Sequence, residues 1–402
     1  MTGSRRTTIS DVARAAHVSP KTVSRVVNGE AGVARDTSAR VRAAIDRLGF
    51  RPDDVARALR RRGRPLPPVR LGPNQPHRSY RGGDAIAGFR GLRPALDHFP
   101  EDWVGSTTTV LDGGPLGLSR LPDDRLLRAA IEDEPERFLG AAHLARFGPD
   151  PSLLVKLLDA GERLPFHLHP DETFAREHLC SIHGKTEAWL VLHGGRLHVG
   201  FREDVEAGTL RDWFERQDVT AMLEAANELE VRAGDCVYVP AGTPHAIGEG
   251  VFMVEVQEPT DLGFMLEWRG FTSPNEATMG LDVEHALAAV RRTHVSRAEL
   301  DTWLCRVSTA PELRPGVLDV LPREAGRFFR VEWLRPKPAA ALEPSFAVLV
   351  VVSGHGRLIT EAATIDVRRG DTLLVPFSAG AGRLTGAVEA IRCLPPDAGG
   401  TR

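Results

Sequence analysis

The period of the apolar positions changes along this chain. Over the first 50 residues they recur at helical spacing: Val12, Ala15 and Ala16 share one face, Val23, Val26 and Val27 a second, and Val41, Ala44, Ile45 and Leu48 a third. The punctuation agrees. Thr8-Ile9-Ser10-Asp11 opens the first helix as a capping box, and His17-Val18 makes a turn. Ser19 is an N-cap with Pro20 at the first helical position, and Asn28-Gly29 stops the second helix. A third helix runs over 36–48 and ends at Gly49. Further on, the pattern becomes alternating or continuously apolar over short runs, with 346–352 a β-branched run that reads as a buried strand. Residues 283–291 and 297–304 return to helical spacing.

This pattern predicts a multidomain chain: an all-α helix-turn-helix head and a mainly-β body with helical insertions. The expected boundaries are a head over 1–63, a linker over 64–77, a first β domain over 78–275, a helical connection over 276–310 and a second β domain over 311–402. The linker begins in Arg60-Arg61-Arg62-Gly63-Arg64 and turns Pro-rich at Pro65-Leu66-Pro67-Pro68.

Charge sharpens the division. Residues 1–64 hold 15 Lys and Arg against 6 Asp and Glu, whereas the remainder holds 36 against 48. A basic head on an acidic body predicts that the head alone meets a polyanion. No apolar run reaches the ~20 residues needed to span a bilayer, and the basic, polar N-terminus has no secretory apolar core. The expectation is a cytoplasmic, nucleoid-associated protein without membrane contact, its four scattered cysteines free thiols.

The wording of the head is specific. Ile9-Ser10-Asp11-Val12-Ala13, then Val18-Ser19-Pro20-Lys21-Thr22-Val23-Ser24-Arg25-Val26-Val27-Asn28, resembles the DNA-binding head of the lac repressor family. The resemblance implies that the second helix enters the major groove of operator DNA, with Pro20, Lys21 and Arg25 at base-reading positions. It places Ser19, Thr22, Ser24 and Asn28 at phosphates. Phe50-Arg51-Pro52-Asp53-Asp54-Val55-Ala56-Arg57-Ala58-Leu59 resembles the family's hinge helix, with Leu59 as the minor-groove wedge. Asp53 departs from the family's usual Asn. A homodimer on a pseudo-palindromic site follows from the same resemblance.

The lac repressor family's sugar domain, an alternation of strands and helices, does not follow. Instead His167-Leu168-His169, Glu187 and Pro240-Ala241-Gly242-Thr243-Pro244-His245 stand at the spacing of the cupin jelly roll, with 170–186 inserted. His-x-His on a strand puts both imidazoles on one face. With Glu187 and His245 they make three nitrogens and one oxygen, a donor set that suits Zn²⁺ and allows other divalent transition metals. His169-Pro170-Asp171-Glu172-Thr173-Phe174-Ala175 and Gly184-Lys185-Thr186-Glu187-Ala188-Trp189 narrow the resemblance to class I mannose-6-phosphate isomerase, as do Leu153-Leu154-Val155-Lys156 and Glu255-Val256-Gln257. That resemblance implies His167, His169, Glu187 and His245 as metal ligands, with His167 in place of the usual Gln, and Lys185 near the substrate as a catalytic candidate. A second repeat over 347–376 lacks these ligands and reads as a metal-free C-terminal cupin, with His355 a turn residue. The body is therefore expected to be a double cupin.

The family's Arg after Glu-Ile-Gln is replaced by Met265, with Arg269 near it in sequence. Two readings stay open. Either the body senses a sugar or sugar phosphate for a transcription regulator of carbohydrate metabolism, or it is an active aldose–ketose isomerase in a bifunctional protein.

Overall fold

The computed structural model describes residues 9–27, 34–48, 64–92, 97–111 and 113–398. They form two compact units, Met1–Arg64 and Pro65–Arg402.

The first unit contains α1 (Ile9–Ala16), α2 (Pro20–Val27) and α3 (Arg35–Leu48). Val12, Ala13, Ala16, Val23, Val41 and Ala44 are its buried core, with Ala15, Val26, Ile45 and Leu48 half-buried against it. The turn falls at His17, whose φ of 54° reverses the chain between α1 and α2. Ser19 caps α2, its Oγ accepting from Thr22 N at 3.1 Å. Asn28 and the 50–59 hinge segment, including Leu59, lie outside the described residues.

The second unit is mainly β. Its strands are β1 (Val69–Arg70), β2 (Glu101–Val104), β3 (Leu154–Asp159), β4 (His167–Leu168), β5 (Glu187–His193), β6 (Gly195–Phe201), β7 (Ala226–Val231), β8 (Asp235–Val239), β9 (His245–Ile247), β10 (Phe252–Gln257), β11 (Phe264–Met265) and β12 (Leu304–Arg306). There follow β13 (Glu312–Arg314), β14 (Val317–Asp319), β15 (Arg330–Leu334), β16 (Ala339–Leu342), β17 (Ala347–Thr360), β18 (Thr364–Arg368), β19 (Thr372–Val375) and β20 (Gly382–Leu394). Two sheets build the first cupin-like half, in the orders β12-β8-β5-β10-β3-β2 and β11-β4-β9-β6-β7. A third runs β1-β19-β17-β20-β15-β14-β13, with β16 on β20 and β18 on β17. The central strands β3, β5, β8 and β10 are apolar and buried on both faces, so they read as continuous runs and not as alternations. Val283–Ala288 and Arg297–Trp303 are helical, as their spacing indicates.

Two expectations change. Residues 65–77 are not a free linker: Leu66 N donates to Ser378 Oγ at 3.1 Å, and β1 pairs antiparallel with β19. A Pro-rich stretch can still lie at a sheet edge, and the strand here follows the prolines. Nor is His355 at a turn. It lies exposed within β17, opposite Arg368, because the chain passes a bulge between Val351 and Ser353 and continues pairing. Gly354 makes this passage possible: its φ is 70°, and a Cβ there would meet Ala387 O at 1.9 Å.

Candidate metal centre

His167 on β4 stands directly opposite His245 on β9 in one sheet. Past the end of β4, His169 returns to the same face two residues on. The three imidazoles converge so that one ring nitrogen from each lies within 4.8 Å of the others. Glu187, at the start of β5, comes from the facing sheet. Its Oε1 is 3.2 Å from His245 Nε2 and its Oε2 is 3.3 Å from His169 Nε2.

Each ring is oriented by its other nitrogen. His167 Nδ1 donates to Pro165 O at 2.7 Å, His169 Nδ1 to Leu262 O at 2.8 Å and His245 Nδ1 to Thr243 O at 2.8 Å. A carbonyl only accepts, so Nδ1 carries the proton in each case and the Nε2 lone pair is left for the cavity. Close approach matters beside His169: a Cβ on Gly263 would stand 3.2 Å from its Nδ1. Among the described residues His245 Nε2 is buried without a hydrogen-bond donor, and Glu187 Oε2 has only the Lys185 ammonium, 3.3 Å away. Orphaned buried lone pairs are costly unless a cation or proton satisfies them, so this donor set fits a divalent metal. Burial, then the neighbouring imidazoles, holds the His167 pKa well below its ordinary value; burial and Lys185 bring that of His169 down to about 3. Both rings are thus neutral at physiological pH, the form that binds metal. Burial would raise the Glu187 carboxyl, but Lys185 and His169 outweigh it and hold it well below the carboxylate range.

Lys185 lies inside this group, donating from Nζ to His169 Nε2 at 2.7 Å and standing 3.3 Å from Glu187 Oε2. The cavity beyond it, of about 100 Å³, is lined by ionisable groups that carry no local sequence motif of their own or no assigned role: Arg78, Tyr80, Glu101, Lys156, Glu255 and Asp261. Arg78 donates to both oxygens of Asp261 at 2.9 Å. Lys156 Nζ is 3.2 Å from Glu255 Oε1, its cross-strand partner. Trp103 Nε1 donates to Glu101 Oε2 at 2.7 Å, and Tyr80 donates to its other oxygen. A signal was available for Lys156 and Glu255, since an ionisable residue in the middle of an otherwise apolar central strand needs a buried partner. Met265 lines the cavity as a thioether. Arg269 does not replace the missing arginine: it is exposed, its guanidinium over the Trp268 ring at 5.4 Å.

Glu101 gives this cavity a measurable acid response. Burial pushes its pKa up, but Arg78, Lys156 and the hydrogen bonds from Tyr80 and Trp103 win and bring it down from 4.5 to about 2. Between those values the unfolded chain binds a proton that the folded chain refuses, so stability falls as pH falls. Urea denaturation of native protein and Glu101→Gln should show a stability gap that narrows from pH 5 towards pH 3. A gap independent of pH would assign the acid response to other groups.

In the head, Ser19, Pro20 and Lys21 are exposed, and Thr22 and Arg25 half-buried, along α2. Ser19 Oγ lies 2.9 Å from Thr22 Oγ1. Ser24 is on α2 as well.

Residues 8–53 match the family of bacterial regulatory proteins, lacI family, and residues 326–395 match the mannose-6-phosphate isomerase cupin domain. The chain joins a lacI-family domain to a mannose-6-phosphate isomerase-type cupin body. Catabolite control protein A of Priestia megaterium is 58% identical over 52 residues, 13% of this chain and 16% of that protein. Mannose-6-phosphate isomerase ManA of Bacillus subtilis is 26% identical over 250 residues, 60% of this chain and 73% of that protein. In fold, the cupin body is similar to the crystal structure of the mannose 6-phosphate isomerase from Bacillus subtilis, with a TM-score of 0.65 at 23% identity over 82% of this chain and 99% of that one. A mannose 6-phosphate isomerase bound with zinc and yttrium matches 83% of this chain and 100% of its own, with a TM-score of 0.63 at 17% identity. Among the described residues, no helix is long and apolar enough to cross a membrane.

Proposed function

We propose that this protein is a DNA-binding transcription regulator of carbohydrate metabolism whose cupin body senses a sugar through a divalent metal, Zn²⁺ being the first choice for the donor set. Its helix-turn-helix head binds operator DNA as a homodimer. His167, His169, Glu187 and His245 hold the ion, and Lys185 meets the sugar beside it. The ion, when bound, polarises sugar oxygens.

The observation that carries the regulatory half is a covalent one. The chain entering the body at Pro65 packs on the second cupin at Leu66, pairs as β1 with β19, and anchors Asn74 on Asp102 and Trp103. By Arg78 and Tyr80 it lines the cavity. A sugar touching those side chains acts on the same short segment that continues into the head. Its effect on DNA is limited to its differential affinity for the DNA-bound and DNA-free protein. A coupling of about 1–3 kcal/mol, or roughly 5–150-fold in operator affinity, is typical.

The second reading is an active aldose–ketose isomerase, favoured by the contact of Lys185 with His169 and by Glu255, 3.9 Å from Lys185 Nζ, which together offer proton-transfer groups in one cavity. Operator titrations with and without sugar decide between the two. Sugar should shift operator affinity in the native protein. A Gly/Ser insertion between Arg64 and Pro65 should leave operator and sugar binding intact and abolish the shift. No shift in the native protein, with enzymatic conversion of mannose 6-phosphate to fructose 6-phosphate, would establish the isomerase reading instead.

A further inference from the structure

We propose that Cys236 and Cys305 are an oxidation site, where a hydroperoxide joins the two thiols into a cross-strand disulfide. Neither the metal centre nor the head enters this inference.

Cys305 lies on β12, the edge strand of its sheet, and Cys236 on the neighbouring strand β8. The pairing is antiparallel, with Cys305 directly opposite Cys236. Directly opposed residues project from the same face of a sheet. Val307 N donates to Gly234 O at 2.9 Å, so those two residues form a hydrogen-bonded pair. Such pairs recur at every second residue, which puts Cys305 and Cys236 in the same class, with Cα atoms about 5.5 Å apart. A disulfide spans about 4.4–6.8 Å between Cα atoms. The backbone is therefore already set, and only the two side chains must turn. Both belong to the apolar interior: Cys236 is fully buried in the main core, and Cys305 is half-buried against it. The other two cysteines have no cysteine opposite them. Cys393 on β20 faces Val331 and Val348, and the exposed Cys180 lies outside the strands.

Cys305, the less buried of the two, is reached first. Its sulfur attacks one peroxide oxygen. An S–O bond forms as the O–O bond breaks, and the departing hydroxide leaves as water with the proton from Cys305. The Cys236 sulfur then attacks the Cys305 sulfur. The S–S bond forms, the S–O bond breaks, and the hydroxyl leaves with the Cys236 proton as a second water. The two thiols lose two electrons and one hydrogen peroxide gains them. Burial holds both thiols above the ordinary range, and Cys305 itself adds to the rise at Cys236. The thiolate is the attacking form, so the first step is slow. β12 follows the helix Arg297–Trp303 and leads towards the second cupin, whereas β8 pairs with β5, where Val239 stands opposite Glu187. The bond therefore staples the connection between the cupins to the sheet that carries Glu187. It closes a loop of about 70 residues, which removes freedom from the unfolded chain.

The test uses the full-length protein, reduced, freed of reductant and treated with hydrogen peroxide. Free thiols are titrated after denaturation, and cross-linked peptides are mapped by mass spectrometry. All four cysteines start as thiols. The expected result is a fall to two, with Cys236 and Cys305 in one peptide pair that dithiothreitol separates. Cys236→Ser should instead leave a sulfenic acid at Cys305, trapped by dimedone in several-fold higher yield than in native protein. The cross-linked protein should melt about 4 °C or more above the reduced one. No rise in the melting midpoint would overturn the stapling role. Four thiols remaining, thiols lost without that peptide pair, or oxidation confined to Cys180 overturns the inference. Should Cys236→Ser fail to fold, the peptide map of the native protein alone decides.

Discussion

His245→Ala should empty the body of metal. Native protein is expected to carry one ion per chain, and the variant close to none after dialysis against a weak chelator. The argument is local. His245 is 1% exposed. Its Nδ1 is committed to Thr243 O, and its Nε2 lies 3.2 Å from Glu187 Oε1. Alanine removes the donor and brings nothing to replace it, since the surrounding strand is packed against Trp189, whose ring lies 5.3 Å from that of His245. Loss of an outer partner of a metal ligand typically costs 10–100-fold in affinity, so about 100-fold or more is expected for a ligand itself. His183→Ala is the control. That imidazole is bound to Asp150 at 2.7 Å and is not one of the converging histidines, so metal content should be unchanged. Elemental analysis of both proteins after the same treatment is sufficient. Equal metal in His245→Ala and native protein would remove the metal centre from this account.

Operator binding should collapse in two different ways when α2 is altered. Arg25→Ala should cost about 1–3 kcal/mol at a single base pair, roughly 5–150-fold, because a guanidinium reading guanine uses two donors fixed in one plane. Lys21→Ala should relax base preference instead, with Lys21 one helical turn before Arg25 on the exposed side of α2. Ser19→Ala should combine two effects. Its Oγ already accepts from Thr22 N, so Ser19→Ala weakens the start of α2 as well as any phosphate contact. The basic balance of residues 1–64 further predicts a steep loss of affinity with salt for native protein and a shallower one for each lost phosphate contact. Fluorescence anisotropy on the protein's own promoter, on single-base variants and on random duplex, at several salt concentrations, measures all of this. Equal affinity for promoter and random duplex at physiological salt would end the operator proposal.

The legible features of this sequence are short-range ones. A capping residue, a helix face or a His-x-His pair is defined within a few residues, by periods of 3.6 and 2.0 that the backbone imposes. That is why the convergence of His167, His169 and His245 could be anticipated from the chain. The same holds for the lacI-family head and the cupin body, whose motifs are runs of neighbouring residues. The docking of 65–77 is not legible in the chain because proline content is local, whereas the pairing of Val69–Arg70 with β19 joins residues some 300 positions apart. His355 has the local signature of a turn because glycines flank it on both sides, and only its pairing with Arg368 shows that the strand runs on through a bulge. Most of the cavity's character was hidden for a related reason. Arg78 and Asp261 are separated by 183 positions, and Lys156 and Glu255 by 99. No local pattern states which buried charge will neutralise which. That choice is fixed by strand register and by the packing of two sheets over one cavity, so the sequence determined which ionisable residues the chain carries, and the tertiary structure decided which of them meet.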